Sequence, residues 1–546
     1  MAAAPGVSPL RHLIANHLYQ GMRTMWRLRR IARLALERTE SLFDAAFTPA
    51  WNPLYQLGAL GWFFYWIVIV SGIYLFIFFD TGITQAYQSV EQLTHAQWYA
   101  GGIMRSLHRY ASDALVIVVM AHIIREYILD RLRGPLWFAW VTGVPILWMI
   151  FAAGLSGYWV IWDRLAQYVA TSTSEWLDTL PFFGEPIARN FLHQTTLSGR
   201  FFTLMVFIHI AVPLFMLLLM WIHIHRHTRP RVNPPKGLAA GTLLALLALS
   251  LWQPALSHEP ANLNTVPTPV DIDWFYLAVL PLADHFPGIW IWLAVVVGTL
   301  ALLLLPWLPP GQRPAVTEVD LANCNGCARC AADCPFGAVI MGGRTDGRPF
   351  SHQAVVDPGL CTGCGICTGS CPTATPFRRR SSLVAGIQLP RLTVSDLRDR
   401  CLELSRTLKG EERVMVLGCE HGVSIDPLLD ESTAAMRLPC AGMLPPSFID
   451  FLISRRLVDG VVLTGCRMGD CHFRKGIDWT EQRIAGKRDP YLRERVPRER
   501  ILRCWVGMDQ GQQLRTAVRA FRARLNGTGL DTPGSAEGAD RIASVK

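Results

Sequence analysis

Eight of the fourteen cysteines stand in two runs of one design. Cys324, Cys327, Cys330 and Cys334 are spaced C-x2-C-x2-C-x3-C ahead of Pro335, and Cys361, Cys364, Cys367 and Cys371 repeat the spacing ahead of Pro372. Thiolates at this spacing hold 4Fe–4S clusters, with the fourth cysteine of each run serving the other cluster. One [4Fe–4S] cluster is therefore expected on Cys324, Cys327, Cys330 and Cys371, and another on Cys361, Cys364, Cys367 and Cys334. Zinc needs only four ligands and does not predict the paired Cys-Pro endings. Three further cysteines end short apolar runs, VMVLGC at Cys419, MRLPC at Cys440 and VVLTGC at Cys466, and Cys471 follows in RMGDCH. Parallel strands ending side by side would gather them at the carboxyl edge of a sheet, where such folds bind cofactors. Four thiolates there suit a [2Fe–2S] cluster or zinc, and the spacing favours neither. Cys401 shares a helical stripe with Leu397, Leu404 and Leu408 behind a Ser395 cap and reads as a packed core thiol. Cys504, in ILRCWV, reads as structural on a fourth strand, and His421 and His472 as supporting or surface residues beside the thiols.

Histidines make a second pattern. His108 and His122 lie fourteen residues apart on one apolar segment, and His209 and His223 lie fourteen apart on another. Fourteen residues are nearly four helical turns, so each pair shares a helix face with about 21 Å between its members. If both helices run the same way, His108 and His209 share one depth, and His122 and His223 another. Two opposed imidazoles at each of two depths are what two six-coordinate b-type haems require. A lone membrane histidine is more often bonded to a neighbouring helix, but that does not account for four with matched spacing. Two other apolar segments carry Gly58 with Gly72 and Gly143 with Gly157, again fourteen apart. Glycine lets a backbone approach a flat macrocycle, although small residues also serve helix–helix contact. Arg105 and Arg125 each lie three residues from a histidine. A haem propionate there would offset the cost of a guanidinium in the membrane.

A membrane must position these residues. Of 546 residues, 51% are hydrophobic and 17% charged, against about 25% charged in soluble domains. This composition excludes a single soluble enzyme and a disordered chain. Six apolar runs, near 56–79, 101–129, 137–160, 201–225, 237–256 and 288–307, reach the length a bilayer requires. With the N-terminus inside, the inner segments hold thirteen Lys and Arg and the outer loops three. That positive-inside pattern places everything after about residue 310 in the cytoplasm. His108 and His209 become the outer pair, and His122 and His223 the inner pair. The net charge of +10 then needs no nucleic acid.

The expected order is a basic amphipathic helix on the inner membrane surface (1–50), a four-helix dihaem domain (51–236) and two more spans (237–308). No signal peptide is seen ahead of these spans. After a Pro-rich linker come the paired cysteine runs (317–377), a basic joint, an α/β domain (393–526) and a disordered tail (527–546). The fold class is a mainly α six-span membrane domain followed by cytoplasmic α+β and α/β domains.

Residues 51–236 resemble the four-helix haem core of the cytochrome b family of bc and b6f complexes. The matching pieces are WN at 51–52, RSLH at 105–108, HIIR at 122–125, GY at 157–158, HIAVP at 209–213 and NPPKG at 233–237. Residues 260–277 resemble that family's quinol-site loop, whose Pro-Glu-Trp-Tyr motif here reads Ile272-Asp273-Trp274-Phe275. The resemblance implies quinone as substrate, with Asp273 and Trp274 left of the motif, while Ile161 stands where the family has proline. The two cysteine runs resemble bacterial-type ferredoxin. PCAGM at 439–443 and TGCRMGDCHF at 464–473 resemble the delta subunits of methyl-viologen-reducing hydrogenases, over about 413–526. That resemblance implies a [2Fe–2S] cluster on Cys419, Cys440, Cys466 and Cys471 and a flavoprotein partner of the heterodisulfide-reductase type.

The expectation is a membrane-bound electron-transfer subunit of a bacterial or archaeal inner membrane. Two b haems, two [4Fe–4S] clusters and one [2Fe–2S] cluster would link quinone to a cytoplasmic flavoprotein that handles a pyridine nucleotide. No GxGxxG after a strand and no hydrolytic triad is found, so chemistry on the soluble substrate falls to the partner. A dimer of the cytochrome b kind is expected. An anchor for a hydrogenase, formate dehydrogenase or bifurcating complex is one alternative; a redox sensor or assembly scaffold is another.

Overall fold

The computed structural model describes residues 9–182, 192, 197–225, 230–267, 269–308, 315–379, 381 and 383–526, with side chains of the first helix from residue 27. The expected tail, most of the Pro-rich linker, Arg380 of the basic joint, and the loop residues Arg189, Arg226 and Arg229 lie outside the described residues. The chain forms two units, one of residues 56–309 and one joining the segment before Gln56 to that from Pro310 on.

Helix α1 (Pro9–Trp51) belongs to the second unit. The first unit holds α2 (Leu57–Phe78), α3 (Ile103–Ile128), α4 (Trp137–Ile161), α5 (Arg164–Asp178), α6 (Gly199–His225), α7 (Lys236–Trp252) and α8 (Gly288–Leu304). α2 packs along α3, and α4 along α6. Phe64, Tyr65, Leu107, Leu115, Ile146, Ile150, Phe202 and Met216 share their buried core. The outer faces stay apolar, with Val70, Ile73, Phe207, Leu214, Trp290 and Leu293 exposed. Helices apolar all round are stable only in lipid or deep in a protein.

Among the described residues, four helical segments are long and apolar enough to cross a bilayer: Pro53–Phe78, Gly134–Ile161, Gly199–His225 and Gly288–Trp307. The sequence suggests six. α3 has the length but carries Arg105, Arg109, Asp113, Arg125 and Glu126. α7 is apolar but has only 17 residues, about 26 Å of helix.

In the second unit, two small antiparallel pairs frame the paired cysteine runs. They are β1 (Glu318–Val319) with β4 (Ile387–Gln388), and β2 (Val339–Gly343) with β3 (His352–Val356). Each run ends in a short helix, α9 (Arg329–Asp333) or α10 (Ile366–Ser370). α11 (Val394–Thr407) follows. Its N-cap is Thr393, with Asp396 completing the capping box, not Ser395 as the sequence reading has it. Then β5 (Val414–Cys419), β6 (Thr433–Leu438), β7 (Gly460–Gly465) and β8 (Ile501–Trp505) form one parallel sheet in the order β6-β5-β7-β8. β5 and β7 are buried throughout, as central parallel strands covered on both faces must be. α12 (Pro446–Ser454), α13 (Gly476–Ile484) and α14 (Gly511–Leu525) complete the domain.

Candidate functional site

The four histidines meet in pairs. The rings of His108 and His209 lie edge to face, with centres 6.1 Å apart and planes at 66°. Two imidazoles each about 2 Å from a metal between them have ring centres about 6 Å apart. A carbonyl fixes the tautomer of each of these two rings. His108 Nδ1 donates to Val68 O at 3.0 Å, and His209 Nδ1 to Ala153 O at 3.0 Å. That leaves Nε2 bare and able to ligate a metal. Hydroxyls repeat the device: Ser71 Oγ lies 3.1 Å from His108 Nδ1, Ser156 Oγ 3.3 Å from His209 Nδ1, and Thr142 Oγ1 3.0 Å from His223 Nδ1. His122 differs, with Nδ1 3.9 Å from the Glu126 carboxylate.

Each hydroxyl stands one residue before a glycine, and each glycine faces a histidine. A Cβ on Gly72 would lie 3.0 Å from His108 Cε1, and one on Gly157 2.9 Å from His209 Cε1. On Gly58 it would lie 3.4 Å from His122 Cε1, and on Gly143 3.6 Å from His223 Cε1. The four glycines therefore keep the space beside the four rings open, and the chain's own groups fit two bis-imidazole haem sites. Gly157→Val is expected to displace His209 and lower bound haem by about half, read as haem per chain in a pyridine haemochrome assay. Full haem content in that variant rules out a spacing role for Gly157.

The two flanking arginines are buried but have protein partners. Arg105 donates to Thr94 Oγ1 and to Ser257 Oγ and lies 3.5 Å from Glu91; Arg125 lies 3.6 Å from Glu126. Asp273 accepts from both Arg109 and Tyr158. Arg109 also pairs with Asp113 at 3.1 Å and lies over the Tyr158 ring. Trp274 is 72% exposed. The carboxylate left of the quinol motif is thus engaged by a guanidinium and a phenol. Sequence reasoning missed Arg109 and Tyr158, since 164 and 115 positions separate them from Asp273.

The cysteines gather in three groups of four. Cys324, Cys327, Cys330 and Cys371 line one cavity with Met341, Ala354 and Ile387. Cys334, Cys361, Cys364 and Cys367 are buried within electrostatic reach of one another. Thr317 Oγ1 sits 3.6 Å from the sulfurs of both Cys361 and Cys367. The third group lies at the carboxyl edge of the parallel sheet, where Cys419, Cys440, Cys466 and Cys471 are within electrostatic reach of one another. No three His, Cys, Asp or Glu side chains among the described residues are arranged as a single metal ion requires. Sets of four sulfurs suit iron–sulfur chemistry or zinc and not a hard cation. Cys401 is buried and outside these groups; burial pushes its thiol up to about 12, and that of Cys504 to about 11. Such thiols are inert.

α1 closes over this third group. Arg467, one residue after Cys466, donates to Glu37 O at 3.0 Å, Ser41 Oγ at 2.9 Å and Asp509 Oδ1 at 2.6 Å. Glu40 and Asp44 lie 3.9 and 3.7 Å away. Arg33 donates to His421 O at 2.9 Å. His421 stacks on His472 with ring centres 3.7 Å apart. The sequence reading gives this helix a membrane surface. The structure gives its acidic stripe a protein partner, with Glu37 only 6% and Glu40 only 1% exposed.

Residues 42–228 match the family described as cytochrome b/b6/petB. The chain carries a cytochrome b domain. A cytochrome b from Cyanidium caldarium is 27% identical over 275 residues, covering 44% of this chain and 70% of that protein. A solved chain of a hyperthermophilic respiratory Complex III is 20% identical and covers 47% of this chain and 75% of its own, with a TM-score of 0.39. Behind the cytochrome b domain, residues 313–375 match the 4Fe-4S dicluster domain, and residues 428–529 the delta subunit of methyl-viologen-reducing hydrogenase. The last match begins after Cys419, so three of the four gathered thiols fall inside it. A cytochrome b domain implies haem b, and a dicluster domain implies iron–sulfur clusters.

Proposed function

We propose that this chain is a membrane-bound electron-transfer subunit joining the quinone pool to a cytoplasmic flavoprotein that handles a pyridine nucleotide. In this reading it holds two b haems, two [4Fe–4S] clusters and one [2Fe–2S] cluster. It crosses a prokaryotic inner membrane six times, keeps both termini inside, and pairs as cytochrome b does. The observation that carries the reading is the adjacent His108–His209 pair, 6.1 Å between ring centres, on a chain that also gathers twelve cysteines in three groups. When bound, haem and iron–sulfur groups supply one-electron chemistry; the residues of the chain hold and space them.

The ligand roles follow the gathered sets. His108 with His209 and His122 with His223 hold the haems. Cys324, Cys327, Cys330 and Cys371 hold one [4Fe–4S] cluster, and Cys334, Cys361, Cys364 and Cys367 the other. Cys419, Cys440, Cys466 and Cys471 hold the [2Fe–2S] cluster. Arg109 and Tyr158 occupy the carboxylate of Asp273, which favours quinone reaction on the inner side. Gentle purification of the complex, with its co-purifying subunits identified, tests the assignment. A flavoprotein is expected among them; a hydrogenase or formate dehydrogenase catalytic subunit would replace the partner. Cys466→Ser is expected to remove only a [2Fe–2S] signal in electron paramagnetic resonance (EPR), and stoichiometric zinc in the wild type would overturn that assignment.

A further inference from the structure

Arg483, on α13, is only 1% exposed, a costly place for a charge without partners. Its guanidinium is bonded to three segments. Nη1 donates to Gly442 O at 2.9 Å, and Nη2 to Asp333 Oδ2 at 2.5 Å and Ser370 Oγ at 2.7 Å. Gly442 follows Cys440 by two residues, Asp333 immediately precedes Cys334, and Ser370 immediately precedes Cys371. One side chain thus touches a neighbour of a cysteine from each of the three groups. The packing is close. A Cβ on Gly369 would lie 2.2 Å from Gly442 O and 2.7 Å from Arg483 Nη1. Cys364 and Cys440 share a buried cluster with Ile366 and Trp479.

The charges at this junction do not cancel. Asp333 also accepts from Arg488, through Nε at 2.8 Å and Nη2 at 2.5 Å. Two guanidiniums against one carboxylate leave one positive charge. Arg488 lies 3.5 Å over the Trp479 ring and is partly exposed, so Arg483 is the better insulated of the two. The adjacent pairs Lys475–Asp478 and Arg329–Asp489 are balanced. Cys440 lies within electrostatic reach of Arg483.

We infer that Arg483 is a positioning residue that places a net positive charge between the three thiol groups and raises the reduction potential of what they hold, most at Cys440. A buried positive charge favours the state with one more electron, and low dielectric strengthens the effect. The inference rests on the reading of these thiols as iron–sulfur ligands.

The test is a redox titration of the purified full-length protein, read by EPR. Arg483→Met is expected to lower the potential of the Cys440 group, with about a tenfold change in its reduction equilibrium. Arg483→Lys should restore most of it. Asp333→Asn should shift it upward, and Arg488→Met downward by less. A purely structural role predicts shifts unrelated to the sign of the charge removed. Unchanged potentials in Arg483→Met, or the same sign for Asp333→Asn and Arg488→Met, overturn the inference. If Arg483→Met does not assemble, the last two variants decide. A wild type without cluster iron would instead sink the ligand assignment.

Discussion

Two haems per chain are expected in the wild type, and replacing His108 or His209 by Leu is expected to leave one. The loss should be the same for either variant and no greater for both together, because both rings face one site. His122→Leu and His223→Leu should remove the other haem. The argument is geometric. A ring whose Nδ1 is tied to a carbonyl cannot turn away to find another role, so its Nε2 has one place to point. A leucine supplies no lone pair, and the opposite imidazole alone leaves a six-coordinate site half made. The pyridine haemochrome assay gives the count, and low-spin haem signals in EPR tell the two sites apart. Retention of both haems in His108→Leu would break the pairing, and loss of both would mean that the sites are not independent.

The second large effect is expected at Arg467. Its side chain is 7% exposed and faces Glu37, Glu40, Asp44 and Asp509. Arg467→Met removes the cation that faces Glu40, Asp44 and Asp509, while the Glu37 carboxylate keeps its pair with Arg33 at 2.9 Å. Breaking a buried pair by deleting one partner costs about 3–5 kcal/mol. α1 should come away from the α/β domain. Denaturant unfolding of the iron–sulfur half should begin at lower concentration, and proteases should cut within residues 27–50. Arg467→Lys should recover only part, since an ammonium lacks the planar fork that spans Glu37, Ser41 and Asp509. Unchanged unfolding and protease resistance in Arg467→Met would show that α1 is held by its apolar contacts alone.

Local spacing made part of this molecule legible. The cysteine runs follow a repeat, and the histidines and glycines recur every fourteen residues. The structure brings the cysteines of each group near one another, and His108 near His209. The parallel sheet was readable because three apolar runs each end at a cysteine. What was not readable is the set of single charges that tie these pieces together. Arg109 pairs with Asp273 across 164 positions, Arg483 with Asp333 across 150, and Arg467 bonds the Glu37 carbonyl across 430. Nothing local distinguishes such an arginine from a solvated one. α1 shows the same gap. Its basic and apolar residues describe a membrane-surface helix, and only the fold reveals that Glu40 and Asp44 lie beside a distant arginine.

The hold of Arg467 on α1 also bears on how the protein is made. α1 is synthesised first, and its partner loop 430 positions later, on the order of tens of seconds at ribosomal speed. Throughout that interval all the membrane helices emerge, while Glu37, Glu40 and Asp44 have no cation from this loop to meet. The contact has a very high sequence separation, and its loop-closure entropy is met only at the end. The iron–sulfur unit is therefore discontinuous in the chain, with the whole haem-binding unit inserted in its middle. Its completion requires that the intervening unit has already been synthesised.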